Sequence, residues 1–212
     1  MRLRRYFIAL TLACCGFSAA RAVVVYTDIQ DFGLFTLNEL VYYGIDFNGD
    51  GVDDVTLRSS RADFLAFSQS GNRIAGFVNP PPNIESLALP FSTAALIGSS
   101  DDTAWSWNAG ESYLLAVVLF GEQVTNIGLW DAGTSFLGVE FQIDGLTHYG
   151  WIEIEVPFLT NGGIIRGFAY ETTPNLAISA GAIPEPAHIS IIGAVLSLLG
   201  VVAFRRRRVG NA

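Results

Sequence analysis

The chain has 212 residues, of which 50% are hydrophobic and 15% are charged, and it contains no lysine. This composition is too apolar for a disordered protein and too poor in charge for a coiled coil, and the length suits one domain with short end segments. Between residues 23 and 183, nineteen acidic residues stand against four Arg, a formal charge of −15. Such an acidic surface repels phosphate backbones, so it argues against nucleic-acid binding and favours calcium or basic partners.

Residues 1–22 have the pattern of a secretory signal peptide. A basic start is followed by an apolar run over residues 6–17, and small residues stand at Ala20 and Ala22. These are the three parts that the Sec translocon and signal peptidase recognise, so we predict cleavage after Ala22. Cleavage after Ala20 is the alternative, and an uncleaved anchor is disfavoured because the run is short for a membrane span.

Both cysteines of the chain, at positions 14 and 15, lie inside this leader. Cleavage therefore leaves a mature chain without thiols, which excludes disulfides, cysteine nucleophiles and cysteine metal ligands. We expect the exported domain to be stabilised by its hydrophobic core, with a bound cation as a second contribution.

Residues 23–180 alternate short apolar runs with Gly, Asn, Asp and Pro clusters, which is typical of strands and turns. No helical period of ten residues occurs before residue 186. The sequence thus predicts an all-β ectodomain, an antiparallel β-sandwich of jelly-roll type. The predicted strands are 23–26, 40–45, 55–59, 64–67, 74–78, 113–120, 127–130, 137–143, 149–156, 164–171 and 177–180.

The strand predicted over 149–156 has the clearest alternation of side chains. One face carries Ile152, Ile154 and Val156, and the other carries Trp151, Glu153 and Glu155. Two carboxylates on one strand face lie on the same side of a substrate, whereas glycoside hydrolysis needs carboxylates on opposite sides.

The ectodomain's single His, His148, has no recognisable nucleophile motif nearby, and phosphate-loop and zinc-ligand motifs are absent from the sequence. We therefore expect no catalytic residues and no enzymatic activity.

The best chemical motif is the acidic loop over residues 46–54. Oxygen-bearing side chains at relative positions 1, 3, 5 and 9, with Gly at position 6, can wrap around a hard cation such as Ca²⁺. The predicted ligands are the side chains of Asp46, Asn48, Asp50 and Asp54 and the backbone carbonyl of Val52. The loop resembles the calcium loops of β-propeller repeats, but Leu57 stands where an EF-hand has its bidentate Glu, which predicts modest affinity. The alternative is a plain acidic turn that closes a hairpin.

A second candidate site is the aromatic pair Trp105 and Trp107. The two residues lie on the same side of an extended segment, beside acidic and amide side chains. Exposed indoles can stack on sugar rings, so the pair suggests a carbohydrate-binding surface. The alternative is that both indoles belong to the core or cover a loop.

The C-terminal tail has three parts in fixed order. A Pro-Glu-Pro motif is followed by an apolar run over residues 187–204, long enough as a helix to span about 27 Å. An Arg cluster then stops the span and keeps the last residues 205–212 in the cytoplasm. The motif consists of Pro184, Glu185 and Pro186, and the cluster of Arg205, Arg206, Arg207 and Arg208.

This tail resembles the PEP-CTERM sorting signal of exported proteins in Gram-negative bacteria. The resemblance implies recognition and cleavage near the motif by the membrane enzyme exosortase, after transit through an inner-membrane-anchored intermediate. It also implies a final place at the envelope surface or in the extracellular matrix, with exopolysaccharide as a candidate partner. Residues 148–153 and 167–172 are similar to the last β-hairpin of many ectodomains with this tail. A plain C-terminal membrane anchor is the alternative.

We thus predict a signal peptide 1–22, an ectodomain 23–180, a linker 181–186, a transmembrane helix 187–204 and a basic tail 205–212. The expected function is that of a non-enzymatic surface or matrix protein. A carbohydrate-binding, lectin-like module is the second hypothesis.

Overall fold

The computed structural model describes residues 23–35, 39–69, 71–77, 86–99, 105–120, 123–157 and 162–184. This part of the chain is all-β with antiparallel sheets and contains no helix, which confirms the all-β, antiparallel part of the predicted fold. Accordingly, no described segment is a helix long and apolar enough to cross a membrane. The predicted signal peptide, transmembrane helix and basic tail lie outside the described residues.

The described residues form fourteen strands. They are β1 Val24–Leu34, β2 Val41–Ile45, β3 Val55–Ser59, β4 Asp63–Ser68, β5 Arg73–Phe77, β6 Pro90–Phe91, β7 Leu96–Ile97, β8 Trp105–Asn108, β9 Glu111–Phe120, β10 Gln123–Gly128, β11 Gly133–Ile143, β12 Leu146–Val156, β13 Gly163–Glu171 and β14 Ile178–Ser179.

The strands are arranged in three sheets. The largest has the order β1-β13-β12-β11-β5-β8, with β6 paired to β11. The second has the order β10-β9-β4-β3-β2, and the third consists of β14 and β7. Strands β11 and β12 are joined by the tight turn Asp144–Gly145, in which both residues have positive φ, 52° and 77°. An Asp-Gly pair favours this hairpin turn because its backbone twist matches that of the strands.

The main hydrophobic core draws side chains from both large sheets. Leu137 and Ile152 come from the largest sheet, and Leu57 and Phe64 come from the five-stranded sheet. Each is fully buried, and burial of such a side chain stabilises the folded state by about 1.5–3 kcal/mol. Each sheet therefore contributes an apolar face to one shared core.

A second core covers the opposite face of the largest sheet. Phe136 and Trp151 on β11 and β12 pack there with Ile97 and Ile178 of the small β7–β14 sheet. The predicted alternation of β12 is confirmed, since Ile152, Ile154 and Val156 are all buried in the main core. Trp151 is buried as well, because the largest sheet is covered on both faces at this point.

Each predicted strand overlaps an observed one, but β10, β11 and β12 begin three or four residues earlier than predicted. Strands β6, β7 and β8 were not predicted. Strand β1 continues to Leu34 through Gln30 and Asp31, whose positive φ values of 57° and 59° accompany a register shift against β13. This shift is a β-bulge, which apolar periodicity does not predict.

The chain divides into two units, Met1–Ala182 and Ile183–Ala212. The first unit contains all the strands that the structure describes. In the second unit only residues 183 and 184 are described.

Candidate functional site

The acidic loop 46–54 connects β2 to β3, which form an antiparallel hairpin. Ile45 is paired with Val55, and the backbone N–H of Asp54 donates to the carbonyl of Ile45 at 2.8 Å. The hairpin therefore fixes both ends of the loop and places the predicted ligands at one end of the five-stranded sheet.

The carboxylate of Asp46 organises the first half of the loop. Its Oδ1 accepts a hydrogen bond from the backbone N–H of Gly49 at 2.7 Å, and its Oδ2 accepts one from Gly51 at 2.8 Å. Gly49 and Gly51 have φ values of 75° and 86°, a left-handed conformation that glycine adopts without steric cost. These contacts explain why glycines alternate with acidic residues in this stretch.

Asn48 and Asp50 continue the turn on the exposed side of the loop. The backbone N–H of Asp50 donates to Asn48 Oδ1 at 2.9 Å, and that of Val52 donates to Asp50 Oδ1 at 2.8 Å. Asn48 Nδ2 also donates to Asp50 Oδ2 at 3.1 Å. The side-chain oxygens thus face the loop's own backbone amides, which is the geometry of the plain-turn alternative as well.

Asp54 is the buried carboxylate of the loop, with 7% of its surface exposed. Its Oδ2 accepts a hydrogen bond from the backbone N–H of Phe47 at 2.8 Å, and its Oδ1 accepts one from Asn72 Nδ2 at 2.9 Å. Burial raises the pKa of the Asp54 carboxyl, the two hydrogen bonds oppose this rise, and the nearby charges of Asp46 and Asp50 add to it. A cation beside these carboxylates would relieve their repulsion.

The set of side chains fits a hard cation in chemistry, because every predicted ligand is an oxygen. Within the described ranges, however, no three His, Cys, Asp or Glu side chains are grouped so that they could hold a metal ion. Asp46, Asp50 and Asp54, the three carboxylates of the predicted ligand set, are thus not grouped in this way. Calcium binding therefore stays a prediction, with the plain turn as its alternative.

Trp105 and Trp107 lie on β8, the edge strand of the largest sheet. Their indoles are 5.2 Å apart and nearly perpendicular, at 81°. Trp107 stacks on Tyr149 at 5.7 Å, and its Nε1 donates to the carbonyl of Gly98 at 3.1 Å. Both indoles are half-buried and pack on the second core, so they do not form a flat two-ring platform.

Glu155 of β12 takes part in an ion-pair network. Arg166 on β13 pairs with Glu155 and with Asp31. Glu153 is half-buried, and its pKa is raised first by desolvation, with the charge of Arg166 acting in the opposite direction. This arrangement joins β1, β12 and β13 across one sheet face.

His148 is a buried residue of β12. Its Nδ1 lies 2.9 Å from the backbone carbonyl of Glu171, so this nitrogen carries the proton. The ring also contacts Phe141 and Tyr170. These contacts give His148 a structural role in the sheet.

Of the predicted sorting motif, Pro184 is described and exposed. Glu185, Pro186 and the four residues Arg205, Arg206, Arg207 and Arg208 lie outside the described residues. The sequence did not predict that Asn72 is a hydrogen-bond partner of Asp54. Asn72 lies after β4 on the chain and reaches Asp54 only through the fold.

The chain was compared with protein-family models, with curated proteins and with solved structures, and no significant match was found in any of the three comparisons. The structure itself defines the described part of the chain as an all-β, antiparallel protein with an acidic hairpin loop.

Proposed function

We propose that this chain is an exported, non-enzymatic protein of the cell surface or extracellular matrix, sorted through its C-terminal tail. The observation that carries the proposal is the order of Pro-Glu-Pro, an apolar run of eighteen residues and four consecutive Arg at the end of the sequence. A leader with the features of a signal peptide stands at the other end. Signal peptidase and exosortase would act on the two ends, and the segment between them is the mature protein.

The division of the chain supports this proposal. The unit with the described strands ends at Ala182, just before the Pro-Glu-Pro motif begins at Pro184. The last described strand, β14, ends at Ser179. A peptidase acting near the motif would therefore leave every described strand in the mature protein.

The ectodomain would be a β-sandwich of jelly-roll type. The sharing of one core by the two large sheets supports this arrangement. A sandwich with many acidic and few basic side chains suits a soluble exported protein. The loop 46–54 would bind Ca²⁺ at extracellular concentrations.

The sorting motif can be tested in the producing cell with the combined variant Pro184→Ala, Glu185→Gln, Pro186→Ala. We expect this protein to retain its tail through Ala212 and to accumulate in the inner membrane, whereas the wild-type protein loses its tail and reaches the surface. Asp131→Asn, which removes one exposed acidic charge outside the tail, should behave like the wild type. A motif variant that reaches the surface with the wild-type mass would show that the motif is not a sorting signal.

A carbohydrate-binding module is the second candidate function. The observation in its favour is that Trp105 and Trp107 remain partly exposed on an edge strand. The test is cosedimentation with exopolysaccharide from the producing cell, using Trp105→Phe and Trp107→Phe together. If the indoles bind sugar, affinity falls about tenfold. Trp130→Phe, a change in the buried main core, is the matched control. Unchanged binding in the double variant would remove the lectin-like function.

A further inference from the structure

Glu171, the last residue of β13, holds its carboxylate inside the protein. Only 2% of this residue is exposed. Its Oε1 accepts hydrogen bonds from two backbone amides, that of Thr173 at 2.8 Å and that of Val23 at 3.2 Å. In the uncleaved chain both donors are neutral, and the ion pairs found among the described residues involve other carboxylates.

The position of Val23 is fixed by the pairing of β1 with β13. Val24 is paired with Glu171, and the backbone N–H of Thr172 donates to the carbonyl of Val23 at 3.0 Å. The backbone nitrogen of Val23 is therefore held beside the Glu171 carboxylate by the register of the sheet. The contact joins residues 148 positions apart, so it forms only in the folded chain.

We propose that the mature N-terminus at Val23 forms an ion pair with Glu171, so that removal of the leader completes the fold of the exported domain. The proposal rests on the export proposed above and on cleavage after Ala22. Hydrolysis of the Ala22–Val23 peptide bond leaves a carboxylate on Ala22 and an amine on Val23, and the amine takes up a proton to become an ammonium group.

The change at Val23 matters because Glu171 is buried. A buried carboxylate is costly unless it is paired with a cation and fully hydrogen-bonded. Cleavage converts a neutral donor into a cation with three donors, at a position that already lies within hydrogen-bonding distance. Cleavage after Ala20 would instead place the ammonium on Arg21 and leave Val23 with a neutral amide. The pairing thus distinguishes between the two predicted cleavage sites.

The absence of lysine from the sequence gives a direct test. Without lysine side chains, the α-amine is the sole primary amine of the mature protein. An N-hydroxysuccinimide ester therefore reports on that amine alone. The protein is purified as exported, its first residue is determined by mass spectrometry, and its labelling rate is measured folded and in urea. Only an unprotonated amine reacts, so pairing with Glu171 should slow labelling of the folded protein by about tenfold.

One variant separates the charge of Glu171 from its hydrogen bond, and a second variant is the control. Glu171→Gln keeps an oxygen acceptor but removes the charge, so the labelling rate should rise about tenfold towards that of the unfolded chain. The melting temperature should fall by about 3–6 °C. Asp131→Asn, the exposed control, should leave both values unchanged. If Glu171→Gln fails to fold, the comparison of the folded and unfolded wild-type protein decides alone.

The outcomes distinguish this proposal from the proposed function. A wild-type amine that reacts equally fast in the folded and unfolded protein would overturn the ion pair, and so would a mature chain that begins at Arg21. Either result leaves export and sorting intact. A protein with a protected Val23 amine and a tail retained through Ala212 would support the ion pair and overturn the sorting proposal.

Discussion

Asp54 and Asn72 are joined by a hydrogen bond of 2.9 Å between a buried carboxylate and a side-chain amide, across eighteen positions of the chain. The amide of Asn72 also lies 3.3 Å from the backbone carbonyl of Asp54. Asn72 precedes β5 in the largest sheet, whereas Asp54 precedes β3 in the other large sheet. The pair thus ties the acidic loop to a segment of the opposite sheet.

Asn72→Ala should lower the free energy of unfolding by about 1–3 kcal/mol, because it leaves a buried carboxylate oxygen without its donor. Chemical denaturation measures this change. Gln69→Ala is the matched control, since the Gln69 amide contacts Thr56 at an exposed site. It should cost less than about 0.5 kcal/mol. Equal effects of the two variants would mean that the Asn72 contact does not stabilise the loop.

The burial of Asp54 predicts a pH dependence. Desolvation raises its pKa above the ordinary value of 3.8, so the folded state binds this proton more readily than the unfolded state. The contribution of Asp54 to the free energy of unfolding therefore increases as pH falls through the folded pKa towards 3.8 and is lower at neutral pH.

Comparison with Asp54→Asn isolates this effect, because the variant lacks the titrating group. The difference in free energy of unfolding between the two proteins should move in favour of the wild type as pH falls from about 7 to about 4. Denaturant titrations at several pH values without calcium provide the measurement. A difference that stays constant, or moves the other way, contradicts the assigned burial effect.

Calcium should raise the melting temperature if loop 46–54 binds it. With a dissociation constant of about 10⁻⁴ to 10⁻³ M, about 10 mM calcium stabilises the folded state by about 1.4–2.7 kcal/mol, which is a shift of about 3–10 °C. Asp50→Asn should reduce this shift. Asp53→Asn, a change in the same loop at a residue outside the predicted ligand set, should retain it. Identical melting temperatures in calcium and in chelator would leave the loop a plain turn.

The pair of Arg73 and Glu140 joins β5 to β11. Glu140 is 3% exposed, and its Oε1 accepts a hydrogen bond from Arg73 Nε at 2.7 Å. The Arg73 side chain is about half exposed, so Arg73→Gln should lower the free energy of unfolding by about 1–3 kcal/mol, mainly by leaving the buried carboxylate without its donor. Arg166→Gln removes pairs whose carboxylates, on Asp31 and Glu155, are more exposed than Glu140, and it should cost less than about 1 kcal/mol. A loss below 1 kcal/mol for Arg73→Gln would contradict the buried pairing.

The predictable part of the fold is the part with local periodicity. Strands β3 and β13 were predicted within one residue and β12 within three, because their apolar residues alternate along the strand. Strands β6 and β7 contain two residues each, too few for any period. The second core was not predicted either, because it forms when β7 and β14 cover Trp151 from distant parts of the chain.

The candidate loop illustrates the same limit. Its spacing predicts a turn with clustered oxygens, and the hairpin of β2 and β3 has that turn. The buried carboxylate of Asp54 accepts hydrogen bonds from Phe47 and Asn72, and the contact to Asn72 exists only in the folded protein. The contact between Val23 and Glu171 is likewise a consequence of strand register, which the sequence alone does not determine.

The central proposal is that the tail directs the protein to the cell surface and is then removed. Intact-mass spectrometry of the protein isolated from the native cell surface tests it most directly. The proposal predicts a chain that has lost its leader and ends close to Pro184. A chain that retains every residue through Ala212 would contradict it and would leave a plain membrane anchor.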